Sequence, residues 1–167
     1  MEKWDLLDDR GRPTGRTMMR GERLTFGQYH LVVHIWVLNA AGGILIQRRA
    51  AHLHLMPNMW AATGGSAVSG EDSETAARRE LLEELGLNTQ PGELTLLRRL
   101  KRRNSFCDLW ILRREVRVDR DVQLQSEEVA EARWVSPALL REMIRQNDFH
   151  NYGKEYFDTL SEVVKGL

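Results

Sequence analysis

The stretch from Gly64 to Leu87, GGSAVSGEDSETAARRELLEELGL, sets several carboxylates beside a glycine-rich loop. Its Ala-, Leu-, Glu- and Arg-rich part, Asp72 to Leu85, predicts a helix, with Asp72 or Ser73 placed to cap it and Gly86 placed to stop it. With about 3.6 residues per turn, Ala77, Leu81, Leu82 and Leu85 form an apolar stripe, and Glu80, Glu83 and Glu84 converge on an adjoining face. Carboxylates crowded in this way repel one another, so a cation is expected among them. Mg²⁺ suits the position, because a hard ion takes carboxylate oxygen and keeps places for water and phosphate. Arg79 lies one turn before Glu83 and is placed to hold that carboxylate through a salt bridge. Ahead of the helix, Gly64, Gly65 and Gly70 let the backbone approach a ligand closely, and Glu71 enters at the helix start. Three glutamates taken alone read equally as a solvated acidic face.

The spacing of the whole stretch is more specific. Gly65, five residues, Glu71, seven residues, Arg79-Glu80-Leu81, one residue, Glu83-Glu84, one residue, Gly86-Leu87 resembles the complete Nudix box, with every fixed position filled. The flanks carry the resemblance further: Trp4-Asp5 with Gly11, the run HLVVHIWVLNAAGGILIQRR, Pro57 to Trp60, Ala62 to Gly65, and Glu127 to Val135 are similar to the isopentenyl-diphosphate-isomerase-like branch of that family. The resemblance implies an α/β/α sandwich with a mixed sheet, the box forming a loop–helix–loop. It implies that Glu80, Glu83 and Glu84 bind Mg²⁺, with Mn²⁺ as an alternative, and that Glu71, Arg79, Glu80 and Glu83 form the catalytic set. A further acidic ligand would come from Glu127 or Glu128. The implied reaction is hydrolysis of a diphosphate linkage in a nucleoside diphosphate, or in a small molecule joined to one, by a metal-activated water. Homodimers are common in the family, and the sequence leaves a homodimer open here.

Two alternatives follow from the same resemblance. Isomerisation of isopentenyl diphosphate relies in that branch on a cysteine just before the box and a histidine beside it. Here Thr63 or nearby small residues and Gly65 hold those places, and Cys107 lies far downstream. A non-catalytic nucleotide-binding regulator would be expected to lose box glutamates, and this chain keeps them all. Val68 departs from the polar or acidic residue that many hydrolases carry in the loop.

Other residues carry less specific signals. Arg48 and Arg49 end a strand and alternate in direction, so at most one faces the phosphates; with Gly64 and Gly65 they are the substrate-binding candidates. Arg98, Arg99, Lys101, Arg102 and Arg103 read as a solvated strand end, His34 as a core histidine, and His52 and His54 as loop residues bordering a pocket. Cys107 reads as a small buried residue, and Trp36, Trp60 and Trp110 as core, with Trp60 also placed to stack on a base.

Around these residues the chain must supply a scaffold. Its 167 residues, without repeats or long linkers, predict one domain over 1–167. Lysine and arginine together number 24, and so do aspartate and glutamate, so no bulk field draws the chain to nucleic acid, and a phosphate site must be local. One cysteine excludes an internal disulfide, and the charged start and short apolar runs give no leader or membrane helix, which points to the cytoplasm. A hairpin is expected around Asp8–Gly11, a two-sided central strand over Tyr29–Leu38, a turn over Asn39–Gly43 and a pairing strand over Ile44–Arg49. Ala50–Asn58 reads as a loop; Leu94–Leu100, Phe106–Val118 and Ala132–Val135 read as strands. Ser136-Pro137 opens a helix to about Gln146, and Tyr152–Val164 predicts a last amphipathic helix with Tyr156, Leu160 and Val163 inward.

Overall fold

A strand whose two alternating sets of side chains are both apolar needs cover on both faces. The structure, a computed structural model that describes residues 2–167, shows how this chain supplies it. In chain order the elements are β1 (Lys3–Leu7), β2 (Pro13–Met19), β3 (His30–Leu38), β4 (Ile44–Arg49), β5 (Trp60–Ala61), β6 (Thr63–Ser66), α1 (Ser73–Leu85), β7 (Thr95–Lys101), β8 (Ser105–Arg113), α2 (Val118–Asp121), β9 (Val129–Val135), α3 (Pro137–Arg145) and α4 (Lys154–Ser161). Strands β1 and β2 form an antiparallel hairpin, joined to the start of β3 by reciprocal bonds between Leu7 and Tyr29. The other strands form one sheet with the path β5-β4-β3-β8-β7, on which β6 pairs with β3 and β9 with β4. Only β3 and β8 run parallel, so the sheet is mixed.

The faces of β3 then divide the core. Val33, Ile35 and Val37 pack with Ala76, Ala77, Leu81 and Leu85 of α1. Trp36 and Leu38 pack with Leu140 and Met143 of α3 and with Tyr156 and Leu160 of α4. The architecture is the expected α/β/α sandwich. Among the described residues no helix is long and apolar enough to cross a membrane.

Several boundaries differ from the sequence reading. Strand β8 stops at Arg113 instead of Val118, because its parallel partner β3 ends at Leu38 and the ladder has nothing further to pair with. Strand β9 starts at Val129, before Ala132, because Arg49 offers Val129 a partner across a bulge. The short strands β5 and β6, rich in alanine and glycine, carry no β-propensity signal and exist through pairing with β4 and β3. Helix α4 begins at Lys154, after Gly153 at φ 98°, so Tyr152 lies outside it. On α1, Leu82 is 50% exposed, whereas Glu80 and Glu84 share the buried face with Leu81 and Leu85.

The basic cluster is not simply solvated either. Arg98 pairs with Glu162, Lys101 Nζ donates to the Asp9 carbonyl, and Arg99 forks onto Asp108 at 2.6 and 2.7 Å. Asp108, fully enclosed on β8, also accepts from Ser73 Oγ at 2.5 Å, and that hydroxyl accepts from Trp110 Nε1 at 2.9 Å. This network moors the first residue of α1 to the sheet. Replacing Asp108 with Ala is expected to cost about 2–3 kcal/mol, somewhat less than breaking a fully enclosed pair because the Arg99 side chain is 40% exposed. A urea denaturation midpoint measures it.

Candidate functional site

Helix α1 begins at its N-cap Asp72, which accepts from the Thr75 N–H at 2.8 Å, and closes on Gly86 in the left-handed conformation. Between these stops Glu80 and Glu84, one turn apart, face strand β6. Glu84 is 1% exposed. One of its oxygens, Oε2, accepts from Gln47 Nε2 at 2.6 Å and from the Gly64 N–H at 3.0 Å. Burial, followed by the nearby Glu80, drives its carboxyl well above the ordinary range, against those two hydrogen bonds.

Beneath these carboxylates β6 carries two glycines for different reasons. A Cβ at Gly64 would stand 2.1 Å from the Val33 carbonyl oxygen, a backbone atom that cannot withdraw, and Gly64 has φ 152°. A Cβ at Gly65 would stand 2.5 Å from Glu80 Oε1, the far end of a flexible side chain. Gly64 therefore lets β6 lie close against β3, and Gly65 leaves room for the Glu80 carboxylate.

Arg79 is the hub. Its guanidinium reaches Glu71 at 2.8 and 3.0 Å, Glu80 Oε1 at 2.8 Å, Glu83 Oε2 at 3.0 Å and the Ser66 carbonyl at 3.1 Å. Glu71 in turn accepts from the Val68 N–H at 3.0 Å, which closes the loop before the helix. These hydrogen bonds, the pair to Glu71 foremost, hold the Arg79 proton more tightly than usual. Glu80 is raised to about 7, chiefly by burial; Arg79 opposes the shift, and Glu83 and Glu128 add to it. Glu128 also raises Glu84, whereas Glu127 is exposed beside Ser126. Of the two acids considered from sequence, Glu128 is the one whose charge reaches the cluster. Its position is set by β9, since its carbonyl accepts from the Ala50 N–H at 2.8 Å.

Among the described residues no three acidic, histidine or cysteine side chains already stand as a ready ion cage. Glu80 and Glu83 are turned onto Arg79, and Glu84 onto Gln47 and Gly64. The donor set nevertheless fits a hard divalent cation: oxygen ligands only, acidic, with Glu71, Glu80 and Glu83 sharing the one Arg79 guanidinium and Glu84 held by neutral donors.

Other expected residues lie apart. Arg48 points to the face opposite Gln47, where it meets Glu131 at 3.1 and 3.2 Å. Arg49 donates to the Leu55 carbonyl at 3.0 Å. Trp60 is buried, and the Arg133 guanidinium lies 4.2 Å from its ring, covering a face that a base would need. His52 and His54 are exposed on the loop. Cys107 is fully buried, and burial pushes its thiol to about 12. Gln47 was not legible as a functional residue: the only sign is an amide in an otherwise apolar half-strand. Tyr152 and His150 come beside the sheet only through the tertiary fold, where Tyr152 Oη accepts from the Ala62 N–H at 3.1 Å.

Behind β6, on the other face of the sheet, His34 is a core histidine, as its strand position suggests. Trp36 Nε1 donates to Tyr156 Oη at 2.8 Å, and the same hydroxyl shares a hydrogen bond with His34 Nδ1, also 2.8 Å away. Burial, aided by Arg102 and His150, lowers its pKa to about 3.

A model of the NUDIX domain family matches residues 28–156. A Listeria monocytogenes protein named as an uncharacterized Nudix hydrolase is 38% identical over 153 residues, covering 91% of this chain and 90% of that protein. An isopentenyl-diphosphate Delta-isomerase of Paenarthrobacter aurescens is 28% identical over 148 residues, 83% of this chain and 78% of that one. Among solved structures, a Deinococcus radiodurans protein superimposes with a TM-score of 0.77 at 24% identity over 98% of both chains. The NUDIX domain of Shewanella oneidensis NrtR, complexed with ADP ribose, gives a TM-score of 0.60 at 17% identity over 79% of this chain and 86% of that one. These two likenesses show the fold.

Two measurements check this geometry. Gly64→Ala is expected to lose about 3 kcal/mol, or roughly 6–12 °C in Tm, because backbone must move. Gly65→Ala, which displaces only the end of the Glu80 side chain, should stay within about 1 kcal/mol of the parent. As for His34, the unfolded imidazole titrates near 6.5 and the folded one near 3. The unfolded chain takes up this proton first, so stability is complete above the unfolded pKa and falls with pH below it, by about 1.4 kcal/mol per pH unit. Between pH 7 and pH 5 the parent should therefore lose about 2 kcal/mol more than His34→Gln in urea denaturation.

Proposed function

We propose that this chain, which belongs to the Nudix family, hydrolyses a diphosphate linkage in a nucleoside diphosphate or a small molecule joined to one. The single observation that carries the reading is the carboxylate cluster itself: Glu71, Glu80 and Glu83 share the one guanidinium of Arg79, and Glu84 and Glu128 lie within electrostatic reach of Glu80 without a cation of their own among the described residues. Glu80, Glu83 and Glu84 would hold Mg²⁺ or Mn²⁺, and Glu128 is the acid best placed to join them. When bound, the ion lowers the pKa of water and offsets phosphate charge.

The chain's own residues perform the positioning. Arg79, locked by Glu71, holds Glu80 and Glu83 at the rim of the site; Gln47 and the Gly64 N–H fix one oxygen of Glu84, leaving the other without a donor among the described residues. Water attacks phosphorus, the bridging P–O bond breaks, the leaving oxygen keeps the electron pair, and the proton of the water passes to an acidic side chain or to solvent.

Hydrolysis is favoured over carbon isomerisation by the state of Cys107. Its thiol is sealed in the core, and its place on β8 faces α3 and α4 rather than the glutamates. The residue before the glycines is Thr63, buried and without a thiol.

The test is phosphate release from a panel of nucleoside diphosphate derivatives, with isopentenyl diphosphate included and double-bond migration followed in parallel. Activity should appear with Mg²⁺ or Mn²⁺, vanish with a chelator, and fall by about a hundredfold or more in Glu83→Gln and Glu84→Gln. Double-bond migration without hydrolysis would overturn the reading.

A further inference from the structure

Strands β5 and β6 follow one another along the chain yet pair with different partners, Trp60–Ala61 with β4 and Thr63–Ser66 with β3. Ala62 is the joint between them. It belongs to neither ladder and is buried, so its N–H and C=O need partners from elsewhere. Both partners are side chains. Tyr152 Oη accepts from the Ala62 N–H at 3.1 Å, and Gln47 Nε2 donates to the Ala62 carbonyl at 3.4 Å.

The Tyr152 hydroxyl continues a ladder already begun. Segment 148–152 runs beside β5, where the Trp60 N–H donates to the Asp148 carbonyl at 3.0 Å and the His150 N–H donates to the Trp60 carbonyl at 2.8 Å. Two residues on, the phenol oxygen stands where a backbone carbonyl would. Its ring is held by stacking on Tyr156, with centroids 4.6 Å apart, and by an edge contact with His150 at 4.7 Å.

Gln47 does more than close the joint. The same Nε2 donates to Glu84 Oε2 at 2.6 Å, so its two hydrogens are committed to a carbonyl and a carboxylate. Those acceptors fix the amide's orientation, because turning it over would set oxygen against oxygen. The amide oxygen, Oε1, is then enclosed without a hydrogen-bond partner. A buried acceptor left unpaired costs folding free energy. An apolar side chain of the same length would avoid that cost but lose both bonds from the nitrogen. What the nitrogen holds is therefore the reason for an amide here. Two residues beyond the joint, the Gly64 N–H gives Glu84 Oε2 its second bond, at 3.0 Å, so the place of the joint sets that donor as well.

We infer that Gln47 and Tyr152 are positioning residues for the divalent ion: they hold the β5–β6 joint by the two polar groups of Ala62, and the joint and the Gln47 amide together aim the Glu84 carboxylate. The inference rests on the reading that Glu84 holds such an ion, and deepens it with two residues that act through that carboxylate.

The test is Mn²⁺ binding by the full-length protein, read from the free-ion signal in electron paramagnetic resonance, which needs no turnover. Gln47→Met, which keeps length and removes the donor, is expected to weaken binding about tenfold. Tyr152→Phe, which keeps the ring and its stacking, is expected to weaken it about threefold, and it carries the test alone if Gln47→Met does not fold. Leu160→Val, a core change in α4 away from the joint, should bind Mn²⁺ as the parent does. In hydrolysis assays, raising Mg²⁺ should restore most of the rate in both positioning variants. Unchanged Mn²⁺ affinity in either folded variant, or an equal loss in Leu160→Val, overturns the inference and leaves the hydrolase reading standing. Weakening confined to Gln47→Met and Tyr152→Phe, in a protein that hydrolyses no diphosphate, upholds the positioning role and removes the hydrolase reading. A parent that binds no Mn²⁺ removes both.

Discussion

A carboxyl group as enclosed as that of Glu84 persists only where donors meet it, and here two donors from the sheet meet the same oxygen. Gln47 reaches it from β4 and the Gly64 N–H from β6, so this oxygen fastens α1 to two strands at once. The fastening sets how low the helix rides over the sheet edge. At that height a Cβ at Gly65 would displace the Glu80 carboxylate, while Gly64 is required by the β3 backbone behind it. Glu80, one turn earlier on the same face, must then lie over Gly65. Arg79 beside it comes within reach of Ser66, Glu71 and Glu83.

The electrostatics of the site follow from the same closeness. Burial alone would drive the acids to take up protons, and Arg79 offsets only part of that tendency because its charge is divided among three carboxylates. Glu128, brought in by β9, adds further acid. The result is a cluster in which Glu71, Glu80, Glu83 and Glu84 are each held by a hydrogen bond while one arginine serves three of them. Such a cluster suits a divalent ion with phosphate oxygens as its remaining ligands.

The opposite face of β3 solves a different problem. There His34, Trp36, Tyr152 and Tyr156 pack together beneath the Arg102 guanidinium, which lies 5.5 and 5.4 Å from the two tyrosine rings. Their polar atoms are satisfied mostly by one another, which makes this half of the core stiff. Strand β3, on which β6 pairs, is thus gripped from behind, while the hairpin strand β1 binds the glycine loop.

The sequence by itself determined the local chemistry. Periodicity and capping residues placed the box helix almost to the residue, because Asp72, Gly86 and the apolar stripe act within a few positions of one another. The same is true of the two-sided strand, the proline-started α3 and the spacing of Glu80, Glu83 and Glu84. What it could not determine were properties that arise from contacts distant along the chain. Leu82 and Glu80 exchange their expected exposure because the sheet edge, not the helix's own pattern, decides which face is covered. Strands β5 and β6 exist only through their partners. Gln47 and Glu128 acquire their places beside the cluster from neighbours dozens of residues away, and Arg48 loses its expected place to the direction in which the pleat turns it. Local propensity is written in short range; burial, pairing and charge proximity are set where the chain meets itself.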